Sequence, residues 1–92
     1  MIDEERIKSL FDNDPNILFV AAYGSYSRGE AAYVLGEDGI SRLYNDFDMV
    51  VVVKNKKLFY TRLEYYQMHM TQIVGGAQVD FLILDKPLSL RQ

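Results

Sequence analysis

The sequence predicts an α+β fold: a small mixed sheet with helices packed mainly on one face and acidic residues at one edge. Three observations carry this. Three apolar runs of strand length stand at residues 17–23, 49–53 and 78–84. Segments with helical spacing of apolar residues lie before and between them. Turn-forming clusters separate almost every pair of runs, so the order is helix, strand, helix, excursion, strand, helix, strand.

Ile2 to Phe11 opens the chain with apolar Ile2, Ile7, Leu10 and Phe11 and a Glu4/Lys8 pair four residues apart, the pattern of a short amphipathic helix. Asp12-Asn13-Asp14-Pro15-Asn16 is a turn cluster, and Pro15 stops the helix. Ile17 to Tyr23 is continuously apolar and reads as a strand covered on both faces. It ends at Gly24-Ser25. Ser25 is a good N-cap, so Tyr26 to Tyr33 is expected to be a short helix that Gly29 weakens.

Residues 34–44 read as an insertion, with Glu37-Asp38-Gly39 as a hairpin turn. Asn45-Asp46-Phe47-Asp48 leads into Met49 and four consecutive valines, the strongest strand signal in the chain. Lys54-Asn55-Lys56-Lys57 is a polar turn. Leu58, Phe59, Leu63, Tyr66 and Met70 then mark one helix face over 58–72. Gly75-Gly76 ends that helix. Gln78 to Leu84 is the third strand, closed by Asp85-Lys86-Pro87.

Composition narrows the chemistry. The 92 residues form one domain, are 49% apolar and 25% charged, and carry a net charge of −3. Cysteine is absent and His69 is the single histidine, which removes disulfides, thiolate catalysis and zinc cages of the Cys or multi-His type. A metal here rests on oxygen ligands, which favours Mg²⁺, Mn²⁺ or Ca²⁺. The negative balance argues against gripping nucleic acid by bulk charge. The longest apolar run spans seven residues, and the charged N-terminus lacks a signal-peptide core, so a cytoplasmic protein with no membrane association is expected.

Asp46 and Asp48 are two residues apart at the start of the valine strand. On a strand they share a face, about 6.5–7 Å apart along the backbone. Ionised together at the mouth of an apolar strand they repel, and a hard divalent cation reverses that repulsion. Asp80 is an acid inside an apolar strand, flanked by Val79 and Phe81, and a strand interior is a poor place for Asp. With the third strand beside the second, Asp80 faces the pair, and three carboxylates at one point make a two-metal site. Gly24-Ser25 at a strand-to-helix junction offers close backbone approach and free N–H groups for phosphate, and Arg28 adds a charged fork.

Together these segments have a familiar form. Ala22-Tyr-Gly-Ser-Tyr-Ser-Arg-Gly-Glu-Ala31, then Asn45-Asp-Phe-Asp-Met-Val-Val-Val52, then Gln78-Val-Asp-Phe-Leu-Ile83 resemble the nucleotidyltransferase superfamily of DNA polymerase beta, and most closely its minimal members. The resemblance covers about residues 17–84. It implies that Gly24 and Ser25 hold a nucleoside triphosphate, with Arg28 as a further phosphate contact. It implies that Asp46 and Asp48 bind two Mg²⁺ ions, that Asp80 completes the metal site, and that all three are catalytic. The implied reaction moves an NMP from an NTP, ATP being the expected one, onto a hydroxyl of a protein, an RNA or a small molecule. The implied partner of a minimal member is a HEPN-type toxin. The other reading is a binding module of the same fold that holds nucleotide or partner without turnover.

Two departures bear on this. Twenty residues separate Ser25 from Asp46, more than the family's usual spacing, because of the 34–44 insertion. Twelve residues follow Asp80, so the chain is expected to be either a minimal core spanning 1–92 or the N-terminal part of a longer protein with a C-terminal domain.

Other motifs fail on chemistry. Gly24 to Ala31 continues Glu30-Ala31 where a P-loop needs Lys-Ser/Thr, and an acid there repels phosphate. Asp12-x-Asp14-x-Asn16 opens like an EF-hand but has Ile17 and Tyr23 where that loop needs Gly and Glu. His69 reads as a structural or surface residue, and Lys54, Lys56 and Lys57 as a solvated loop.

Overall fold

The computed structural model describes residues 2–30, 32–43 and 46–85. Ala31, Tyr44, Asn45 and the expected closing turn at Lys86-Pro87 lie outside the described residues.

The elements are α1 (Glu4–Asp12), β1 (Ile17–Tyr23), β2 (Tyr33–Leu35), β3 (Ser41–Leu43), β4 (Phe47–Val53), α2 (Lys56–Thr61), α3 (Leu63–Ile73) and β5 (Val79–Asp85). The main sheet has the order β1-β4-β5. β1 runs antiparallel to β4, and β4 runs parallel to β5, so the sheet is mixed. The α2–α3 crossover supplies the long connection that a parallel pair requires.

The valine run belongs to the central strand. β4 alternates cleanly, with Phe47, Met49, Val51 and Val53 buried and Asp48, Val50 and Val52 half-buried. The buried set meets Val79 and Ile83 of β5 and the helices. Each such fully buried side chain contributes about 1.5–3 kcal/mol. Behind the sheet, the rings of Phe11 and Tyr66 stack at 4.8 Å and those of Phe59 and Tyr66 at 5.3 Å. The half-buried set of β4 faces the other way, onto a face that no helix covers among the described residues.

That open face corrects the reading of β1 as covered on both sides. β1 is an edge strand, and the register Phe19↔Val52, Ala21↔Val50, Tyr23↔Asp48 puts its odd residues on the open face. Phe19 is 57% exposed there. A continuous apolar run looks the same whether one face or both are covered.

Three further boundaries differ from expectation. Gly24 to Gly29 forms successive turns instead of a helix. Arg28 N–H donates to the Gly24 carbonyl, but Gly29 N–H already reverts to the Tyr26 carbonyl, and Gly29 adopts φ 75°, which ends any helical turn. The expected helix over 58–72 is two helices broken at Arg62, whose φ of −112° leaves the helical region. α2 also starts earlier, because the Asn55 side chain accepts from Leu58 N–H as N-cap, so Lys56 and Lys57 lie in its first turn. The 34–44 insertion is a hairpin as expected: β2 and β3 pair Tyr33↔Leu43, Val34↔Arg42 and Leu35↔Ser41 as a separate two-stranded sheet.

A buried polar cluster clamps α1 to the crossover. Asp14 Oδ2 accepts from the Tyr66 hydroxyl at 2.5 Å and lies 2.9 Å from Arg62 Nη1, while Asp14 Oδ1 accepts from Asn16 N–H at 2.9 Å. Asn16 in turn exchanges bonds with the Asn55 backbone at 3.0 and 2.9 Å. Burial raises the Asp14 pKa, but the bonds from Tyr66, Asn16 and Arg62 outweigh it and hold the carboxyl below its ordinary value. Tyr66 is therefore a core residue, while Tyr60 and Tyr65 of the same crossover are exposed. His69 is half-buried with its ring against Tyr65, in keeping with a structural role.

Candidate active site

The N-terminal end of β4 lies between the C-terminal end of β1 and the N-terminal end of β5, and the acids gather there. β4 and β5 are parallel with Asp48 opposite Asp80. Side chains directly paired across a ladder point to the same side, so both carboxylates stand on the open face. Tyr23 of β1 is the partner of Asp48 on the other flank.

Asp46 precedes β4 and is exposed, so it does not share a strand face with Asp48 as the two-residue spacing predicts. Its charge still reaches Asp48. Burial, then the charge of Asp80, then that of Asp46, raise the Asp48 pKa, while Arg28 lowers it. Asp80, Asp46 and Arg28 thus all lie within electrostatic reach of Asp48. Among the described residues, no group of three His, Cys, Asp or Glu side chains is arranged to hold a metal ion. Asp80 Oδ1 instead accepts from Gln78 Nε2 at 3.1 Å.

Gly24 closes the other side. Its φ is 73°, and a Cβ built on it would collide with Asp48 Oδ2. Only glycine lets the turn after β1 lie this close to the strand carrying the acid. The turn that follows is tied internally. Ser27 Oγ donates to the Gly24 carbonyl at 3.0 Å, and Glu30 N–H donates to the Ser25 carbonyl at 2.9 Å. Arg28 Nε lies 3.0 Å from Glu30 Oε1, both side chains being largely exposed. The helix N-terminus expected to cradle phosphate is thus replaced by a compact turn whose backbone passes beside Asp48.

Tyr26 anchors this turn to the body of the protein. Its ring packs on Phe47 at 5.0 Å, and its hydroxyl donates to Glu4 Oε2 at 2.8 Å. Burial, with the adjacent Glu4 carboxylate, pushes its pKa up to about 12. This link joins α1 to the acid site. In the sequence this link is marked only by an aromatic residue after a glycine turn. The bond from Gln78 to Asp80 likewise has no sequence mark, because a polar residue at the start of a strand has no distinctive signature.

The donor set suits a hard cation. It is all carboxylate, it concentrates negative charge, and the nearby Arg28 is already paired to Glu30. Gly24, Ser25, Arg28, Asp46, Asp48 and Asp80 are thus brought to one end of the sheet, with Lys54, Lys56, Lys57 and His69 on other elements. Among the described residues, no helix is long and apolar enough to cross a membrane.

A family model described as Polymerase beta, Nucleotidyltransferase matches residues 5–92. No curated protein and no solved structure matches the chain.

Proposed function

Since the chain belongs to the polymerase beta nucleotidyltransferase family, we propose that it transfers an NMP from an NTP, with ATP as the expected donor, to an acceptor hydroxyl in a magnesium-dependent reaction. The observation that supports this best is the pairing of Asp48 with Asp80 on the open sheet face, against the glycine turn at Gly24.

Each residue has a part in this reading. The backbone of the Gly24-Ser25 turn takes the triphosphate, whose oxygens accept from N–H groups and the Ser25 hydroxyl. Arg28 leaves Glu30 for the phosphates, trading an exposed ion pair for a more highly charged partner. Asp46, Asp48 and Asp80 are the residues that would hold Mg²⁺, by turning their carboxylates toward one another and releasing Gln78. When bound, the metal supplies charge neutralisation and polarisation of the phosphate.

The acceptor hydroxyl approaches over the open face, which no helix covers among the described residues. Asp80 is on the side from which it arrives and takes its proton. The acceptor oxygen forms a bond to the α-phosphorus, the bond to the bridging oxygen breaks, and pyrophosphate leaves. Positioning and electrostatics carry such a reaction, which fits a chain without cysteine and with a single histidine.

The acceptor belongs to one of three classes: a protein, for which a HEPN-type toxin is the first candidate, an RNA end, or a small-molecule alcohol. Incubation with α-labelled ATP, Mg²⁺ and a member of each class tests the proposal. Label transferred in a metal-dependent manner supports it. Metal-dependent binding with no transfer to any class favours a non-catalytic nucleotide-binding module, and neither binding nor transfer overturns the reading.

A further inference from the structure

The hydrogen bonds of residues 24–30 turn inward. Arg28 N–H donates to the Gly24 carbonyl at 3.2 Å, Gly29 N–H to the Tyr26 carbonyl at 3.1 Å and Glu30 N–H to the Ser25 carbonyl at 2.9 Å. The Ser27 hydroxyl and the Arg28 guanidinium also close on the segment itself. These bonds make the turn a compact unit, but they do not fix where that unit sits on the body of the protein. The N–H groups of Ser25, Tyr26 and Ser27 make no backbone hydrogen bond among the described residues. They are the donors left for a phosphate, and Tyr26 is in the middle of them.

Tyr26 is also the tie. Among the described residues, it is the one member of 24–30 whose side chain bonds or stacks outside the segment. Its ring lies 5.0 Å from that of Phe47, and its hydroxyl donates to Glu4 Oε2 at 2.8 Å. With a pKa of about 12, the phenol keeps its proton far above neutral pH and stays a donor.

Both partners are themselves held. Phe47 is 2% exposed, and its N–H donates to the Gln78 carbonyl at 2.8 Å. It stands between Asp46 and Asp48 in the chain, and the Gln78 side chain bonds Asp80. Glu4 follows the N-cap Asp3, and Ile7 and Phe11, three and seven residues on, bury the same face of α1. The tie thus runs from a capped helix, through the turn, to the residue flanked by two of the acids. Glu4 is exposed, so water competes for the bond and its effect on global stability is small. Its local effect is larger, because a displacement of about 1 Å is enough to spoil contacts to a bound group.

We propose that Tyr26 and Glu4 are positioning residues for the nucleotide. The Glu4–Tyr26 bond and the Tyr26–Phe47 stack hold the Ser25–Ser27 donors at a fixed distance from the acids, so that α1 sets the affinity for the triphosphate. Both side chains act through the turn, without contact to the nucleotide. The inference rests on the reading above in which the Gly24-Ser25 turn takes the triphosphate.

Calorimetric titration of ATP with Mg²⁺ into the full chain, well below its melting range, tests this. Tyr26→Phe keeps the stack and removes the bond. Glu4→Ala removes the acceptor, and Glu4→Gln keeps an oxygen that can accept. Tyr66→Phe loosens the Asp14 cluster without touching the turn and is the structural control. Binding is expected to weaken about three- to tenfold in Tyr26→Phe and in Glu4→Ala, with no further loss when the two are combined. Glu4→Gln is expected to bind nearly as the unmodified chain does. Tyr66→Phe is expected to melt at a lower temperature with unchanged affinity. Tyr26→Leu also loses the stack and is expected to bind more weakly than Tyr26→Phe; should it fail to fold, the other variants decide. Unchanged affinity in either Tyr26→Phe or Glu4→Ala overturns this proposal alone. So do additive losses in the combined variant, which mean that the two residues do not act as one link. An equal loss in Tyr66→Phe overturns it as well, because any softening of the fold then weakens binding. An unmodified chain that binds no ATP overturns the nucleotide reading, and this proposal falls with it.

Discussion

Gly24 lies against the carboxylate of Asp48, so close that a methyl group on Gly24 would overlap Asp48 Oδ2. This contact joins the end of the edge strand to the acid of the central strand, and it fixes how near a backbone N–H can come to the acid cluster. Most of what can be tested about the site follows from it.

Gly24→Ala and Gly29→Ala separate backbone strain from collision. Both glycines have positive φ, 73° and 75°, but nothing stands within 4 Å of a Cβ at Gly29. Gly29→Ala is expected to cost about 1–2 kcal/mol from the left-handed backbone alone. Gly24→Ala is expected to cost about 1–3 kcal/mol more, because it also overpacks against Asp48. Urea unfolding of both variants checks the difference. Equal losses would mean that Asp48 moves aside freely.

The charge on Asp48 is expected to strain the folded state when no metal is present. Burial and the charges of Asp80 and Asp46 raise its pKa in the fold. The folded state then holds the proton more tightly than the unfolded chain. Stability from this group falls as pH rises from the ordinary carboxylate value through the raised one, and the cost is relieved below that window. Asp48→Asn in EDTA is therefore expected to have a higher unfolding midpoint than the unmodified chain at neutral pH, and the gap is expected to close in acid.

Asp14 carries the opposite sign. Its pKa is lowered in the fold, so its contribution is present above the ordinary carboxylate value and is lost as pH falls through the lowered one. Tyr66→Phe removes one bond to this buried carboxylate and is expected to cost about 1–3 kcal/mol at neutral pH. Arg62→Ala is expected to cost less, because its side chain is 47% exposed and water screens the pair. Thermal melts from pH 3 to 7, within the range where carboxylates titrate, check both the order and the acid dependence.

Much of the frame was legible in the sequence. The valine strand, the apolar runs before and after it and the turn clusters set three strands and their order through local pattern alone. Asp80 stood out because an acid inside an apolar strand conflicts with its surroundings, and the structure sets it opposite Asp48. Coverage of β1 was not legible, because an apolar run carries no mark of what lies above it. The helix after Ser25 failed because one capping residue counts for less than two glycines with positive φ, at Gly24 and Gly29. The break at Arg62 has no proline or glycine to announce it. The Asp14–Tyr66 bond joins residues 52 apart in the chain, a distance that periodicity does not span.

The central claim is that Asp46 and Asp48, with the Gly24 turn, form a metal-dependent nucleotide site. Calorimetric titration of ATP into the unmodified chain, with Mg²⁺ and then with EDTA, tests it most directly. The account predicts saturable binding with Mg²⁺, its loss in EDTA, and its loss in both Asp46→Asn and Asp48→Asn variants that remain folded. Binding of equal strength in EDTA, or binding that survives both substitutions, would contradict it.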